Sequence, residues 1–216
     1  MGATSVLPCQ RFLPTRFKPC CSTYEELPRG LPRLVTGGAR GNTEAMKRVI
    51  NIDELEFARW DARFPREQKP PADRYGADIA QVGPPLGARK LGYNVTRIDP
   101  GRAAYPAHNH RVNEEMFLVL EGAGEVRIGG ERFPVRKGDI IACPPGGPET
   151  AHQLRNTGTA PLEVLMVSTF EEADVVEYPD SGKTAFGALT PGADGKPQLL
   201  RGIARNDQQP KYWEGE

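Results

Sequence analysis

The chain has 216 residues, 28 of them basic and 28 acidic, so its formal net charge is zero. That balance argues against a nucleic-acid footprint and a polybasic membrane patch, and no run approaches the roughly 18 apolar residues of a membrane-spanning helix. The length suits one domain with a full core plus tails, and the expected partner is a small molecule.

Residues 1–45 carry Pro8, Pro14, Pro19, Pro28 and Pro32 without a hydrophobic period. They read as a disordered extension, or as a mis-assigned start upstream of a natural Met46; their arginine bias leaves a transit peptide as the other reading. Val49–Ile52 is expected to be the first ordered strand, and residues 53–60 to form one or two helical turns capped by Asp53. From Leu91 onward, short runs of strand-forming residues are divided by Gly and Pro, the pattern of an all-β sandwich or barrel. Leu91–Ile98 is one strand, ended by Asp99-Pro100-Gly101. In Glu115–Leu120 the residues Glu115, Phe117 and Val119 share one face and Met116, Leu118 and Leu120 the other. Both faces are largely apolar, so a second surface should cover this strand, and a homodimer is expected.

Gly124–Ile128 and Glu131–Val135 flank Gly129-Gly130, a two-residue link suited to a hairpin because both glycines tolerate positive φ. Asp139–Cys143 and Leu162–Thr169 supply two more strands. The domain is expected to span 46–180, with 181–216 as a C-terminal tail rich in Gly, Pro and polar residues. Tyr212 and Trp213 near its end should dock, either as a clasp on the barrel or a neighbouring subunit or as a lid over the pocket. Asp180-Ser181-Gly182-Lys183 lacks the frame of a phosphate loop and reads as a surface turn. The cysteines show no CxxC and no even spacing; reduced thiols in a cytoplasmic protein are expected, with catalysis by Cys143 a minor option.

All three histidines fall at His108, His110 and His152. Residues two apart on a strand point to one face, so His108 and His110 can aim both imidazoles at one point. With His152 and Glu115 they make a ligand set of three imidazoles and a carboxylate, suited to a divalent first-row metal and able to leave positions open for water or substrate. Affinity order and availability leave Mn, Fe, Ni, Zn and Cu as candidates.

The frame around these residues runs from Gly101 through His108-Asn109-His110 and Glu115 to Gly122. It resumes at Gly138, continues through Pro144-Pro145-Gly146-Gly147 to His152, and closes at Asn156. It resembles the two motifs of the cupin superfamily over roughly residues 86–170, and Glu114-Glu115-Met116-Phe117 with Tyr178-Pro179-Asp180 is similar to small single-domain bacterial cupins of the type-2 conserved barrel. Two departures, an extra residue between Gly101 and His108 and a longer segment from Pro144 to His152, fall in turns, where insertions are tolerated.

The resemblance implies a double-stranded β-helix, or jelly-roll, barrel binding one divalent metal through His108, His110, Glu115 and His152. Glu115 is preferred to Glu114 because it stands at the family's distance before Gly122. The implied function is binding of, or action on, an oxygen-rich ligand such as an organic acid or sugar derivative. Dioxygenase, decarboxylase and isomerase chemistry are all admitted on the enzymatic branch; a non-catalytic ligand-sensing or storage cupin is the alternative, and a metal-free barrel a third reading.

Overall fold

A computed structural model describes residues 47–192, 197–208 and 210–216; the extension at 1–45 and the start at Met46 lie outside the described residues. The architecture is all-β, with no α-helix among the described residues. One sheet carries six strands in the order β1 (Ala58–Arg59), β2 (Ala77–Gln81), β3 (Leu91–Ile98), β10 (Leu162–Thr169), β5 (Glu115–Glu121) and β8 (Ile140–Cys143). Facing it are two smaller sheets. One has the order β7 (Glu131–Arg136), β6 (Ala123–Ile128) and β9 (His152–Asn156); the other has β13 (Pro197–Arg205), β12 (Lys183–Pro191), β11 (Ala173–Tyr178) and β4 (Asn109–His110). An antiparallel bridge between His108 and His152 joins the last two sheets. Every strand pairing is antiparallel, and the result is the expected jelly-roll barrel.

Strict alternation builds the interior. Phe117 and Val119 on β5, Val164 and Met166 on β10 and Ile141 and Cys143 on β8 meet Val126, Val135 and Leu154 from the facing sheet in one buried cluster. Each large side chain so buried contributes roughly 1.5–3 kcal/mol against the unfolded chain. The turns are fixed by glycine where no other residue fits. Gly122 has φ 89° between β5 and β6, and a Cβ there would stand 2.7 Å from the Pro161 carbonyl oxygen. In the Gly129-Gly130 link only Gly129 takes positive φ (55°), and its amide donates to the Ala151 carbonyl at 2.7 Å.

Four local expectations are corrected. Val49–Ile52 is not a strand: it finds no partner, Val49 is 83% exposed, and a 3-10 turn follows at Ile52–Glu54. That turn is capped by Asn51, whose Oδ1 accepts from the Asp53 amide at 2.9 Å, rather than by Asp53. Beyond Thr169, where the sequence shows no strand pattern, β11, β12 and β13 form a ladder in which β12 and β13 pair from Lys183↔Arg205 to Pro191↔Pro197. Tyr212 and Trp213 pack on each other, ring centroids 4.7 Å apart, and remain 85% and 76% exposed, so they do not clasp their own barrel.

Candidate metal centre

The site lies at one end of the barrel, where two inward rows terminate. Glu115 heads the row Glu115-Phe117-Val119 on β5, and His152 heads His152-Leu154-Asn156 on β9; Phe117, Val119, Leu154 and Asn156 are buried behind them. His108 and His152 form a reciprocal backbone pair, His108 N–H to His152 O at 3.1 Å and His152 N–H to His108 O at 2.8 Å. Residues directly opposite in a ladder share a face, so the bridge itself sets their imidazoles side by side, 4.7 Å between centroids. His110, two residues on, presents its ring from the same face, 5.3 Å from that of His108.

All three imidazoles converge on one carboxylate oxygen. Glu115 Oε2 lies 3.0 Å from His152 Nε2, 3.6 Å from His110 Nε2 and 3.8 Å from His108 Nε2. The ligand atoms of His108, His110 and Glu115 lie within 4.8 Å of one another, and His152 joins this group through Glu115. Ligands at right angles around one ion with bonds near 2.1 Å stand about 3 Å apart, so modest contraction would bring these atoms to that spacing. Glu114, the neighbouring carboxylate, is exposed, as expected.

The far ring nitrogens explain why the near ones are available. His108 Nδ1 donates to the Pro106 carbonyl at 2.9 Å, His152 Nδ1 to the Thr150 carbonyl at 3.3 Å, and His110 Nδ1 to Asp174. In the neutral tautomer that keeps its proton on Nδ1, a ring so held turns its Nε2 lone pair toward Glu115. Three lone pairs and a carboxylate oxygen facing one point repel unless a cation or a shared proton lies among them. The residues present therefore fit a divalent metal.

Ionisation favours the neutral ring at His108 and differs at His110. Burial pushes His108 down to about 4, against a smaller upward pull from Glu115, so its ring stays neutral. Burial would raise Glu115, yet its close contact with His152 and the neighbouring His110 and His108 hold it below the usual carboxylate value. For His110 the downward effect of burial is outweighed by Asp174 and Glu115, and its pKa is raised.

Behind the ligands a small cavity of about 10 Å³, room for about one water, is bounded by His108 and His152 and walled by apolar surface from Phe117, Met166, Leu154 and Tyr105. Burial raises Tyr105 far above its ordinary value and it keeps its proton. Cys143, opposite Glu115 in the β5–β8 ladder, is pushed up to about 12 by burial and then by Glu115, which leaves it a thiol rather than a nucleophile.

Other residues singled out in the sequence have structural roles. Asn156 closes the turn after β9, and Arg155 donates to the Gly101 carbonyl at 3.2 Å. Arg97 pairs with Glu163 across β3 and β10 and lies over the Phe57 ring. The longer segment before His152 folds into a 3-10 turn, Pro148–Thr150, closed by Thr150 Oγ1 on the Gly147 carbonyl, and it carries the chain into β9.

Sequence reasoning missed β11. Asp174 binds His110, the Tyr178 ring stacks on that of His108 with centroids 6.1 Å apart, and Asp180 just beyond is held bidentately by Arg127 at 2.9 and 2.6 Å. The Tyr178-Pro179-Asp180 resemblance was the available signal, but neither spacing nor residue type ties it to the histidines.

A family model described as "Cupin domain" matches residues 94–168. The chain carries a cupin domain. Its barrel is similar to a crystal structure from Silicibacter pomeroyi called a sugar phosphate isomerase from a cupin superfamily, with TM-score 0.60 and 24% identity over 77% of this chain and 98% of that one. A second crystal structure, from Acidithiobacillus ferrooxidans and provisionally named a sugar phosphate isomerase, is 27% identical with TM-score 0.50, covering 58% and 76% of the two chains. Among curated proteins, an uncharacterised protein of Methanocaldococcus jannaschii is 36% identical over 74 residues, which is 32% of this chain and 57% of that protein. The cupin-matched segment ends at the close of β10, so β11, with Asp174 and Tyr178, lies beyond it.

Proposed function

We propose that the barrel binds one divalent transition metal through His108, His110, Glu115 and His152 and holds a small oxygen-rich ligand against it. The observation that carries this is the convergence of three Nε2 atoms on Glu115 Oε2 with every Nδ1 already engaged. A bound metal would act there as a Lewis acid toward carboxylate, hydroxyl or carbonyl oxygens. The protein's own groups do the rest. Phe117, Met166 and Leu154 wall the inner side of the ligands with apolar surface. Asn94 adds an amide on the inner face of β3, where it stands opposite the buried Met166.

The cavity behind the ligands has room for no more than about one water, so an organic acid or sugar derivative would bind on the metal's outer side. The name borne by the 27%-identical structure supports the sugar branch, with a sugar phosphate as the first candidate. A non-catalytic role in ligand sensing or storage is supported by a different observation: Tyr105, Tyr178 and Cys143 near the ligands are held in their protonated forms, and the carboxylate beside them, Asp174, is engaged by His110 and its own loop. Turnover abolished by chelation supports the enzyme; saturable stabilisation without turnover supports the binder.

Elemental analysis of tag-free protein beside His110→Ala tests the metal. About one divalent ion per wild-type chain and strong loss in the variant are expected; equal contents overturn the assignment. We place the protein in the cytoplasm and read it as a homodimer, because Phe186 and Leu200 are 45% and 55% exposed on the β12–β13 ladder and β13 is a sheet edge. Light scattering should give twice the 23.7 kDa chain mass, and a monomer at micromolar concentration refutes the dimer. No helix among the described residues is long and apolar enough to cross a membrane.

A further inference from the structure

Among the three imidazoles, His108 and His152 rest their Nδ1 protons on backbone carbonyls, whereas His110 rests its own on a carboxylate, Asp174. Asp174 is itself fixed on every side. Its Oδ1 accepts from the amides of Val112 at 3.0 Å, Asn113 at 3.4 Å and Val175 at 2.9 Å, and its Oδ2 accepts from Asn113 Nδ2 at 2.9 Å in addition to His110. Five donors facing one side chain, which is 11% exposed, require the ionised form and leave it no room to turn.

From this geometry we infer that Asp174 is a positioning residue of the metal centre. It fixes His110 as the Nδ1–H tautomer, so that the Nε2 lone pair faces Glu115, and supplies the second negative charge that a buried divalent cation requires. The inference rests on the metal reading above. Two consequences distinguish it from simple anchoring of the loop. Glu115 alone leaves a divalent ion with one uncompensated charge; Asp174, acting through the His110 ring, brings the total to neutral and makes that imidazole the more basic donor. Because β11 lies beyond the cupin-matched segment, affinity is set partly by a strand that the two metal motifs do not contain.

Asp174→Asn isolates the effect. With its oxygen kept at the Oδ1 position, the amide still accepts from Val112, Asn113 and Val175, but its NH2 then faces His110 Nδ1. Two donors cannot share a hydrogen bond, so the His110 proton should move to Nε2 and cover the lone pair. Outer-shell substitutions of this kind weaken metal binding by about 10- to 100-fold. Asn113→Ala is the control, since it removes a loop contact to Asp174 and leaves the imidazole contact in place; its affinity should stay within about 3-fold of wild type by the same scale.

Two measurements on the full chain decide the matter. Histidine ¹⁵N–¹H correlation spectra of the metal-free proteins report each ring tautomer, and titration with Mn²⁺ or Co²⁺ against a competing chelator reports affinity. The expected result is a His110 tautomer change and the 10- to 100-fold loss in Asp174→Asn alone. A wild-type tautomer or wild-type affinity in Asp174→Asn overturns the inference, as does an equal loss in Asn113→Ala. If wild type binds neither ion, the metal reading itself fails, and the tautomer spectra still decide whether Asp174 sets the His110 ring.

Discussion

Replacing Asn156 by alanine should cost about 3 kcal/mol, without touching a metal ligand. The side chain is wholly buried, and its Nδ2 donates to the Ile98 and Ala160 carbonyls at 2.8 Å each while its Oδ1 accepts from the Gly158 amide at 2.8 Å. Alanine strands three backbone groups, each worth about 1 kcal/mol net, and the Ile98 carbonyl lies beneath a residue with no exposure. Asn156→Asp should be worse at neutral pH, because a carboxylate oxygen would replace the Nδ2 that now serves two carbonyl oxygens. Urea unfolding in the presence of chelator, with the slope unchanged, measures both losses free of metal linkage. A loss below about 1 kcal/mol for alanine, or a milder effect for aspartate than for alanine, would refute this account of the second motif's terminal asparagine.

Acid should loosen the β11 region first. Glu177 is held below its ordinary 4.5 by hydrogen bonds from Arg111 and then Asn109, and Asp180 below its ordinary 3.8 by Arg127. Since the folded pKa values are the lower ones, the unfolded chain takes up protons first. The stability these groups supply is present above about pH 4.5 and lost as pH falls through the folded values. Urea midpoints of chelated protein should therefore decline more steeply below pH 4.5 in wild type than in Glu177→Gln; identical pH slopes would refute the assignment. Chelation should also lower the melting temperature of wild type but leave that of His110→Ala unmoved, as scanning calorimetry would show.

The barrel was legible because Gly and Pro cut the chain into runs whose inward and outward positions alternate. Leu91–Ile98 and Leu162–Thr169 match β3 and β10 end for end. Strand parity put His108 and His110 on one face, while Glu115 and His152 joined them through the resemblance to the cupin motifs. Where tertiary pairing overrides local preference, sequence reading failed. β2 is built from Ala77, Asp78, Ala80 and Gln81 around a single Ile79, and it is a strand because β3 lies beside it. β12 and β13 contain Gly187, Gly202 and terminal prolines, which read locally as loop; a nine-residue register stabilises them. Asp174 was invisible because its significance depends on β11 pairing with β4, a contact that no local pattern encodes.

The backbone pair between His108 and His152 bears on how the centre comes into being. These residues stand 44 positions apart in the chain, and the bridge can form only once β5 to β8 have been laid down between them. Loop-closure entropy delays contacts of such separation, so the fourth ligand joins late in folding, after much of the interior has gathered. A nascent chain can offer an ion His108, His110 and Glu115, but the full set exists only when the barrel has shut. Hydrogen exchange at the two histidine amides should therefore slow together, in one step.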